Sequence, residues 1–339
     1  MFEKNFWNKK AKSHLESREG ELTVRSTKDD FMREEETDEK YASFCANYQR
    51  ELEDMELLGN PELKKAIKNR ILEVEGYYED NYKKLATEEG MNLEEVKLVI
   101  QEKVEKMVKN ISCYRATNPS TLKRMLSEKN SQNQRFKSAL EVGRSTVFFK
   151  KDLRLDTEHE LYGLSDQIIE KTDTGDENAV RGDVEQRPIY GYAVNDFEKM
   201  IDNSRKQDPE GESNINIFGV VHCKLKRDSV MKKATFCVQD SVLGMNAGRK
   251  VATSPIAQPH FISIDIANYR SLAEIPETTD EIKTGYIEAQ FHHQLKISDI
   301  EEIKIPQSLP AVEAQSIIDL IEQCNQENKK QEDILISFY

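Results

Sequence analysis

Apolar and polar residues alternate along one stretch near the C-terminal end of the chain, Tyr286-Ile287-Glu288-Ala289-Gln290-Phe291-His292-His293-Gln294-Leu295. A repeat of two residues is typical of a β-strand that is buried on one face only. The polar residues at alternate positions of the stretch include Glu288, Gln290 and His292. We therefore expect an exposed strand face that presents a carboxylate, an amide and an imidazole in line, about 6–7 Å apart. Such a face can hold a ribose and polarise it.

The bulk composition indicates a polar, acidic protein of one large domain or two ordinary ones. The chain has 339 residues, of which 37% are hydrophobic and 33% are charged, and its formal net charge is −13. A surface with this charge repels phosphate backbones, so we expect no nucleic-acid partner. No apolar run approaches the roughly 20 residues that a membrane-spanning helix needs, and we expect a soluble protein without a membrane span.

The cysteine and histidine patterns predict neither disulfides nor a metal site. The five cysteines lie far apart, their number is odd, and no Cys-x-x-Cys or His-Glu-x-x-His motif occurs. These features are typical of a protein that works under reducing conditions. The N-terminal residues lack the apolar core of a secretory signal, so any export is expected to follow another route.

The N-terminal third of the sequence predicts helices. Residues 1–40 are dense in charged residues, Ser and Thr without an apolar period, which predicts a disordered or loosely helical arm. Residues 41–110 predict a helical bundle that serves as a structural or docking module. One of its helices begins at Pro61, and another begins at the capping box Asn92-Leu93-Glu94-Glu95. The apolar stripe of the first helix consists of Leu63, Ile67, Ile71 and Val74.

From residue 111 the pattern changes to short β-prone segments separated by polar linkers. This pattern predicts an α+β domain with a mostly antiparallel sheet over residues 111–308. A short helix is expected from Pro119, and a last helix from Pro310 opens the C-terminal segment 309–339 with its apolar tail. Besides the alternating stretch, the β-prone segments are 111–117, 146–149, 189–194, 217–225, 233–238 and 261–265.

Polar groups on three separate predicted strands have the chemistry that a dinucleotide requires. Arg115 lies on the first strand, Ser145-Thr146 opens the second, and Glu288 lies on a late one. An arginine can bind a diphosphate through two parallel hydrogen bonds. A serine hydroxyl can order a ribose, and a carboxylate can accept a ribose hydroxyl and stabilise an oxocarbenium-like transition state.

These residues resemble the ADP-ribosyltransferases of the arginine–serine–glutamate class, in which the same three residue types occur in this order. The segments Gln186–Gly191 and Ile287–His292 are similar to two motifs, usually ERPKYG and EAQVHG, of an uncharacterised bacterial and fungal family with this fold. The resemblance covers residues 111–305. Three further segments are similar to the mid-sheet strands and a following turn of bacterial members: Phe218–Leu225, Ala234-Thr235-Phe236 and Asp240-Ser241.

The resemblance implies a fold, a substrate and a set of site residues. The fold is a split mixed or antiparallel sheet preceded by an α-helical region. The substrate is NAD, which the protein would cleave in order to transfer ADP-ribose to a side chain of a target protein, with arginine as the acceptor. Arg115 would hold the diphosphate, Ser145 would order the site and Glu288 would stabilise the ribosyl cation. The residues implied in NAD binding are Arg115, Ser145, Thr146, Tyr190, Gln290 and His292.

Two residue assignments stay open at this point. Members of the class usually carry Glu-x-Glu or Gln-x-Glu with the last Glu catalytic, whereas this chain has Glu288-Ala289-Gln290, so either Glu288 or Gln290 holds the catalytic position. The order in the EAQVHG motif favours Glu288. The interval between Arg115 and Ser145 is short for the class, which leaves Arg144 or Arg187 as alternative ligands of the diphosphate.

Two other functions fit the same features. The sheet domain can be a degenerate, non-catalytic module that binds a partner protein through the helical bundle and the acidic surface, or it can be an NAD glycohydrolase. The Lys, Glu and Asn usage resembles that of bacteria. The Glu- and Gln-rich final helix with its apolar tail resembles the delivery signals of secreted bacterial effectors. This resemblance implies a toxin-like effector whose substrate is a host protein and which is secreted into the host cytoplasm.

Overall fold

The computed structural model describes eleven parts of the chain. These are residues 61–128, 134–138, 151–164, 187–207, 218–237, 240–246, 250–253, 269–282, 285–292, 294–327 and 332–339. They all belong to one unit that spans residues 45–339. The arm predicted over 1–40, the β-prone segments 146–149 and 261–265, and the site residues Arg144, Ser145 and Thr146 lie outside the described residues.

Helices and strands alternate irregularly along the part of the chain that the structure describes. The helices are α1 Pro61–Glu89, α2 Leu93–Lys109, α3 Pro119–Leu126, α4 Lys151–Tyr162, α5 Phe197–Gln207, α6 Arg227–Val230, α7 Ser241–Asn246 and α8 Ala311–Glu327. The strands are β1 Ser112–Thr117, β2 Ile189–Val194, β3 Val221–Leu225, β4 Ala234–Cys237, β5 Ile287–Phe291, β6 Ile300–Ile305 and β7 Leu335–Phe338. Single 3-10 turns lie at Met231–Lys233, Leu272–Glu274, Thr279–Glu281 and Ile297–Asp299.

The two N-terminal helices form as their local sequence predicts. The apolar stripe of α1 is buried along its whole length. The capping box of α2 is confirmed, because the Asn92 side chain accepts a hydrogen bond from the Glu95 amide at 2.8 Å and Glu95 Oε2 accepts one from the Asn92 amide at 3.0 Å. The buried side chains of both helices belong to the same apolar cluster as those of the sheet and of α8.

The strands form one seven-stranded sheet in the order β4-β5-β2-β1-β3-β6-β7. Every neighbouring pair is antiparallel except β6 and β7, which run parallel. The predicted α+β class with a mostly antiparallel sheet is confirmed. The sequence patterns did not predict β6, β7 or α4, and the last of these proves important for the site.

The sheet opens at one end between β1 and β2. These strands pair over three residues only, from Ser112↔Val194 to Tyr114↔Tyr192. Beyond that point β1 continues beside β3 as far as Thr117, and β2 continues beside β5 as far as Ile189. The two halves of the sheet therefore stay intact while they part from each other.

The prediction that β5 is exposed on its polar face is wrong. Ile287, Ala289 and Phe291 face the main apolar cluster as expected, but Glu288 is only 7% exposed and Gln290 is fully buried. The polar face is covered because α4, α7 and residues 250–253 pack over it, and β4 and β2 flank the strand on either side. The strand also ends at Phe291 and does not extend to Leu295.

Helix α1 is tied to the segments that cover β5 by a buried arginine. Arg70, which is 5% exposed, donates from Nε to the Val251 carbonyl oxygen at 2.8 Å and from Nη2 to Met245 Sδ at 3.3 Å. The same guanidinium lies 3.1 Å from the Glu160 carboxylate of α4. One side chain of the helical region thus holds α4, α7 and the 250–253 segment together.

Replacement of Gly191 by alanine is expected to destabilise the protein by about 1–3 kcal/mol, the usual cost of overpacking. A Cβ at this position of β2 would overlap the Tyr114 carbonyl oxygen and lie 2.8 Å from the Phe291 ring. Gly76→Ala is the matched control, because Gly76 lies in α1 with open space around it, and there alanine should stabilise the helix by about 0.5–1 kcal/mol. Urea unfolding measures the free energy of unfolding of both variants, and an equal change in the two would contradict the prediction.

Candidate active site

A cleft lies where β1 and β2 part. Its polar lining groups are the guanidiniums of Arg115 and Arg154 and the carboxyl groups of Asp240 and Glu288. Four aromatic side chains complete its walls, those of Tyr190, Tyr192, Phe218 and Tyr286. Arg115 and Glu288 are 173 positions apart in the sequence, and the sheet topology brings both to this one cleft.

Arg115 of β1 has hydrogen-bonding capacity left over. Its Nη1 donates to the Tyr190 carbonyl oxygen at 2.6 Å, while its buried Nε has no hydrogen-bond partner among the described residues. Burial, together with the nearby positive charge of Arg154, lowers the pKa of Arg115 to about 10. The side chain therefore remains a cation at neutral pH that can accept an anionic partner.

Arg154 of α4 is the second cation of the cleft. Its side chain is about nine-tenths buried, and its guanidinium carbon lies 4.5 Å from the centre of the Tyr190 ring. The nearest carboxylate oxygen, Glu158 Oε1, is 3.8 Å from Arg154 Nη1, beyond hydrogen-bond distance, and this nitrogen has no other partner in the described part of the chain. Unpaired donors at this depth are rare in proteins unless a ligand or water satisfies them.

Arg187 does not line the cleft, because its charge is used in an internal ion pair. Its Nη1 donates to Glu158 Oε2, and the Tyr190 hydroxyl donates to Glu158 Oε1 at 3.2 Å. Both Arg187 and Glu158 are nearly inaccessible to solvent. The buried Glu158 carboxyl group thus faces the guanidiniums of both Arg187 and Arg154.

Glu288 of β5 also lines the cleft and is held by three donors. Its Oε1 accepts from Ser241 Oγ at 2.6 Å and from Gln290 Nε2, and its Oε2 accepts from the Ser241 amide at 3.3 Å. Burial raises the pKa of Glu288 to about 8, and the neighbouring Asp240 carboxylate acts in the same direction. The hydrogen bonds from Ser241 and Gln290 oppose this shift without cancelling it.

Gln290 lies behind Glu288 and not in the cleft. Its Oε1 accepts hydrogen bonds from Thr235 Oγ1 at 3.0 Å and from Thr253 Oγ1 at 2.6 Å. With its oxygen occupied in this way, the amide nitrogen has to point at Glu288. Of the two candidates for the catalytic position, the structure therefore places Glu288 at the cleft and gives Gln290 the task of orienting it.

His292 lies deeper still and is neutral. Its Nε2 is 2.6 Å from Thr235 Oγ1, and its ring packs edge-on against Tyr162 at 4.8 Å. Burial lowers the pKa of His292 to about 3. Since the Thr235 hydroxyl donates its single proton to Gln290, it accepts the proton of His292 Nε2. His292 therefore supports the row of β5 side chains from behind and does not reach the cleft.

Tyr190 and Tyr192 both line the cleft, but they are held differently. The Tyr190 ring lies against the Arg154 guanidinium. The Tyr192 ring stacks on Tyr114 at 5.4 Å, and its hydroxyl forms a 2.7 Å hydrogen bond with His222 Nδ1. Tyr192 is thus part of a packed aromatic cluster, whereas Tyr190 contacts the guanidinium of Arg154.

Two charged residues of the cleft, Asp240 and Arg154, were not assigned to the site from the sequence. Asp240 belongs to a segment that carries the family resemblance, yet nothing in the sequence indicated that it lies close to Glu288 in the fold. Arg154 had no sequence signal, because the buried residues of α4 include the polar run Arg154, Thr157 and Glu158, the opposite of an apolar stripe. The buried face of such a helix can be recognised only when the polar groups that pack against it are known.

Comparison with models of known protein families and with curated proteins finds no match for this chain. Among the described residues, no group of three or more His, Cys, Asp or Glu side chains is arranged to hold a metal ion. In the described part of the chain, no helix has both the length and the hydrophobicity needed to cross a bilayer.

Glu288→Gln is expected to change how stability depends on pH. The pKa of Glu288 is about 8 in the folded protein against an ordinary value of 4.5, so the folded chain holds this proton more tightly than the unfolded chain does. The stability that the proton provides is present at low pH and is lost as the pH rises from 4.5 to 8. The glutamine has no proton to lose, so above pH 8 the variant should be more stable than the wild type by up to a few kcal/mol, at about 1.4 kcal/mol for each pKa unit.

Urea unfolding at a series of pH values measures this effect. Glu102→Gln, on the exposed face of α2, is the control for the loss of one negative charge from the chain. The difference in the free energy of unfolding between Glu288→Gln and the wild type should widen as the pH rises from 4.5 to 8. The free energy of unfolding of Glu102→Gln should run parallel to that of the wild type. If the curve of Glu288→Gln also runs parallel to that of the wild type, the Glu288 carboxyl group titrates alike in the folded and the unfolded wild-type chain.

Proposed function

We propose that this protein binds NAD in the cleft, breaks the bond between nicotinamide and ribose, and transfers the ADP-ribose to a side chain of another protein. The observation that carries the proposal is the charge arrangement of one cleft. Two guanidiniums, each with an N–H donor that has no hydrogen-bond partner among the described residues, and a pair of carboxyl groups line it together. A dinucleotide with an anionic diphosphate and a cationic nicotinamide ring is complementary to both kinds of charge.

The two guanidiniums support the binding of a diphosphate. Buried N–H donors without a hydrogen-bond partner are rare in proteins unless a ligand or water satisfies them, so those of Arg115 and Arg154 favour an anion that completes the site. Arg115 and Arg154 lie on different elements and approach the cleft from two directions, which suits a group with two phosphates. In this proposal Arg115 keeps the role that the family resemblance implied, and Arg154 takes the place of the alternatives Arg144 and Arg187.

The two carboxyl groups of the cleft support the cleavage of a glycosidic bond. As nicotinamide leaves, positive charge develops on the ribose ring, and a carboxylate beside it lowers the energy of that transition state. Glu288 is held for this task by Ser241 and Gln290. The positive nicotinamide ring of bound NAD would favour the ionised form of Glu288, because an opposite charge nearby lowers the pKa of a carboxyl group. The aromatic walls offer Tyr190, Phe218 and Tyr286 as stacking surfaces for the ring.

The topology gives independent support to the ADP-ribosyltransferase resemblance. A split sheet is what the resemblance implies, and β1 and β2 part where the cleft lies. The arginine of the first strand and the glutamate of a late strand both line this opening. Arginine as the acceptor, a host protein as the target and secretion as an effector complete the proposal, and these parts rest on the sequence resemblances alone.

NAD glycohydrolase activity is the second candidate, because the same cleft has a carboxyl group that water can approach. Asp240 is half-buried beside the shielded Glu288. A water molecule near Asp240 would intercept the ribosyl cation in place of a protein side chain. Both reactions release nicotinamide, and only the fate of the ADP-ribose distinguishes them.

Binding of NAD should raise the melting temperature, and Arg154→Gln should reduce the affinity for NAD by about tenfold to a hundredfold. The reason is that a hydrogen bond to a charged group contributes about 1.5–3 kcal/mol. Arg124→Gln, on the exposed surface of α3, is the matched control that removes a guanidinium remote from the cleft. Calorimetric titration of the three proteins with NAD measures the affinities. Equal affinities for wild type and Arg154→Gln would exclude Arg154 as a ligand of the diphosphate.

Incubation with NAD labelled in its adenylate part should yield free nicotinamide and labelled protein, and Glu288→Ala should lower the rate by about 10²-fold or more. Label that stays in free ADP-ribose would identify the glycohydrolase. Binding of NAD without any release of nicotinamide would favour the non-catalytic module. A Glu288→Ala variant as active as the wild type would contradict the assignment of the catalytic residue.

A further inference from the structure

Asp240 and Glu288 line the same cleft, and the fold holds them side by side. Ser241 directly follows Asp240, and it donates both its hydroxyl and its amide hydrogen to the Glu288 carboxyl group. Asp240 is also fixed by its own backbone, since its carbonyl oxygen accepts a hydrogen bond from the Gly244 amide at 2.8 Å. The position of one carboxyl group therefore determines that of the other.

The surroundings of these two carboxyl groups differ in the way that separate catalytic roles require. Glu288 is 7% exposed, and its Oε1 already accepts two hydrogen bonds. Asp240 is only half-buried. The first group is suited to hold a ligand in a fixed place, and the second is suited to exchange a proton with solvent.

Among the described residues, the groups whose charges interact with that of Asp240 include Arg154 of α4, Glu288 of β5 and Tyr286 just before β5. Burial raises the pKa of Glu288 and of Tyr286, and the nearby Asp240 carboxylate raises both further. Pairs of carboxyl groups with unlike environments commonly divide acid–base work between them.

We propose that Asp240 is the general base of this cleft and that Glu288 is the group that holds the ribose. This inference rests on the proposed cleavage of NAD. The bond between the ribose carbon and the nicotinamide nitrogen breaks, and its electron pair leaves with the nicotinamide. The acceptor, a side chain or water, donates a lone pair to the ribose carbon, and its proton passes to the Asp240 carboxylate and then to solvent. The products are ADP-ribosylated acceptor, neutral nicotinamide and one proton.

The test compares nicotinamide release by wild type, Asp240→Asn and Asp240→Ala. Removal of a general base usually costs about 10²–10⁴-fold in rate, so Asp240→Asn should lose at least about a hundredfold in kcat while KM for NAD changes by less than about threefold. Formate should restore part of the turnover of Asp240→Ala, because it supplies a carboxylate in the vacated space. A purely structural role for Asp240 would give no such recovery.

Asp319→Asn is the matched control, an exposed aspartate of α8 that is remote from the cleft, and it should keep the wild-type rate. Turnover of Asp240→Asn within about threefold of wild type, or no recovery of Asp240→Ala with formate, would overturn the role of Asp240 and leave NAD cleavage standing. A wild type that binds NAD and releases no nicotinamide would instead overturn the proposed function, and the general base with it. If Asp240→Asn fails to fold, Asp240→Glu replaces it. We then expect turnover at least about tenfold below that of the wild type, and wild-type turnover would contradict the proposal.

Discussion

The hydrogen-bonded row on the polar face of β5 is the constraint on which the rest of the site depends. A strand that is buried on both faces must satisfy each of its polar side chains inside the protein. Thr235, Thr253 and Ser241 supply these partners from three separate segments. The row therefore fixes β4, the 250–253 segment and the start of α7 around β5, and the only member of the row left at a cleft is Glu288. The position of Glu288 at the cleft and the correct packing of β5 therefore depend on the same hydrogen bonds.

Local patterns in the sequence predicted those elements whose structure depends on local interactions. The stripe of α1, the capping box of α2 and the short helix α3 involve residues within one or two turns of each other, and all three are confirmed. The polar face of β5 was assigned to solvent because alternation cannot reveal what covers a strand. Helix α4 was missed for the converse reason, since its buried polar residues conceal the usual sign of an inward face.

The site was predictable only in part, for a related reason. Arg115 and Glu288 were recognised by residue type and order, and both line the cleft. The choice between Glu288 and Gln290 depends on two threonine hydroxyls that are 37 and 55 positions away from Gln290 in the sequence. Likewise, Arg187 is disfavoured as a ligand of the diphosphate because it pairs with Glu158, which lies on a helix that the sequence patterns did not predict. Such assignments require knowledge of which distant groups have already been paired.

The contacts of Arg70 have a consequence for the evolutionary history of this architecture. A guanidinium of the helical region supports the same short segments that position the carboxyl groups of the cleft. Gene fusion or recombination that exchanged the helices without the sheet would leave those segments unsupported. Descendants of this chain should therefore inherit both regions together, and substitutions at position 70 should be accompanied by compensating changes near residues 245 and 251.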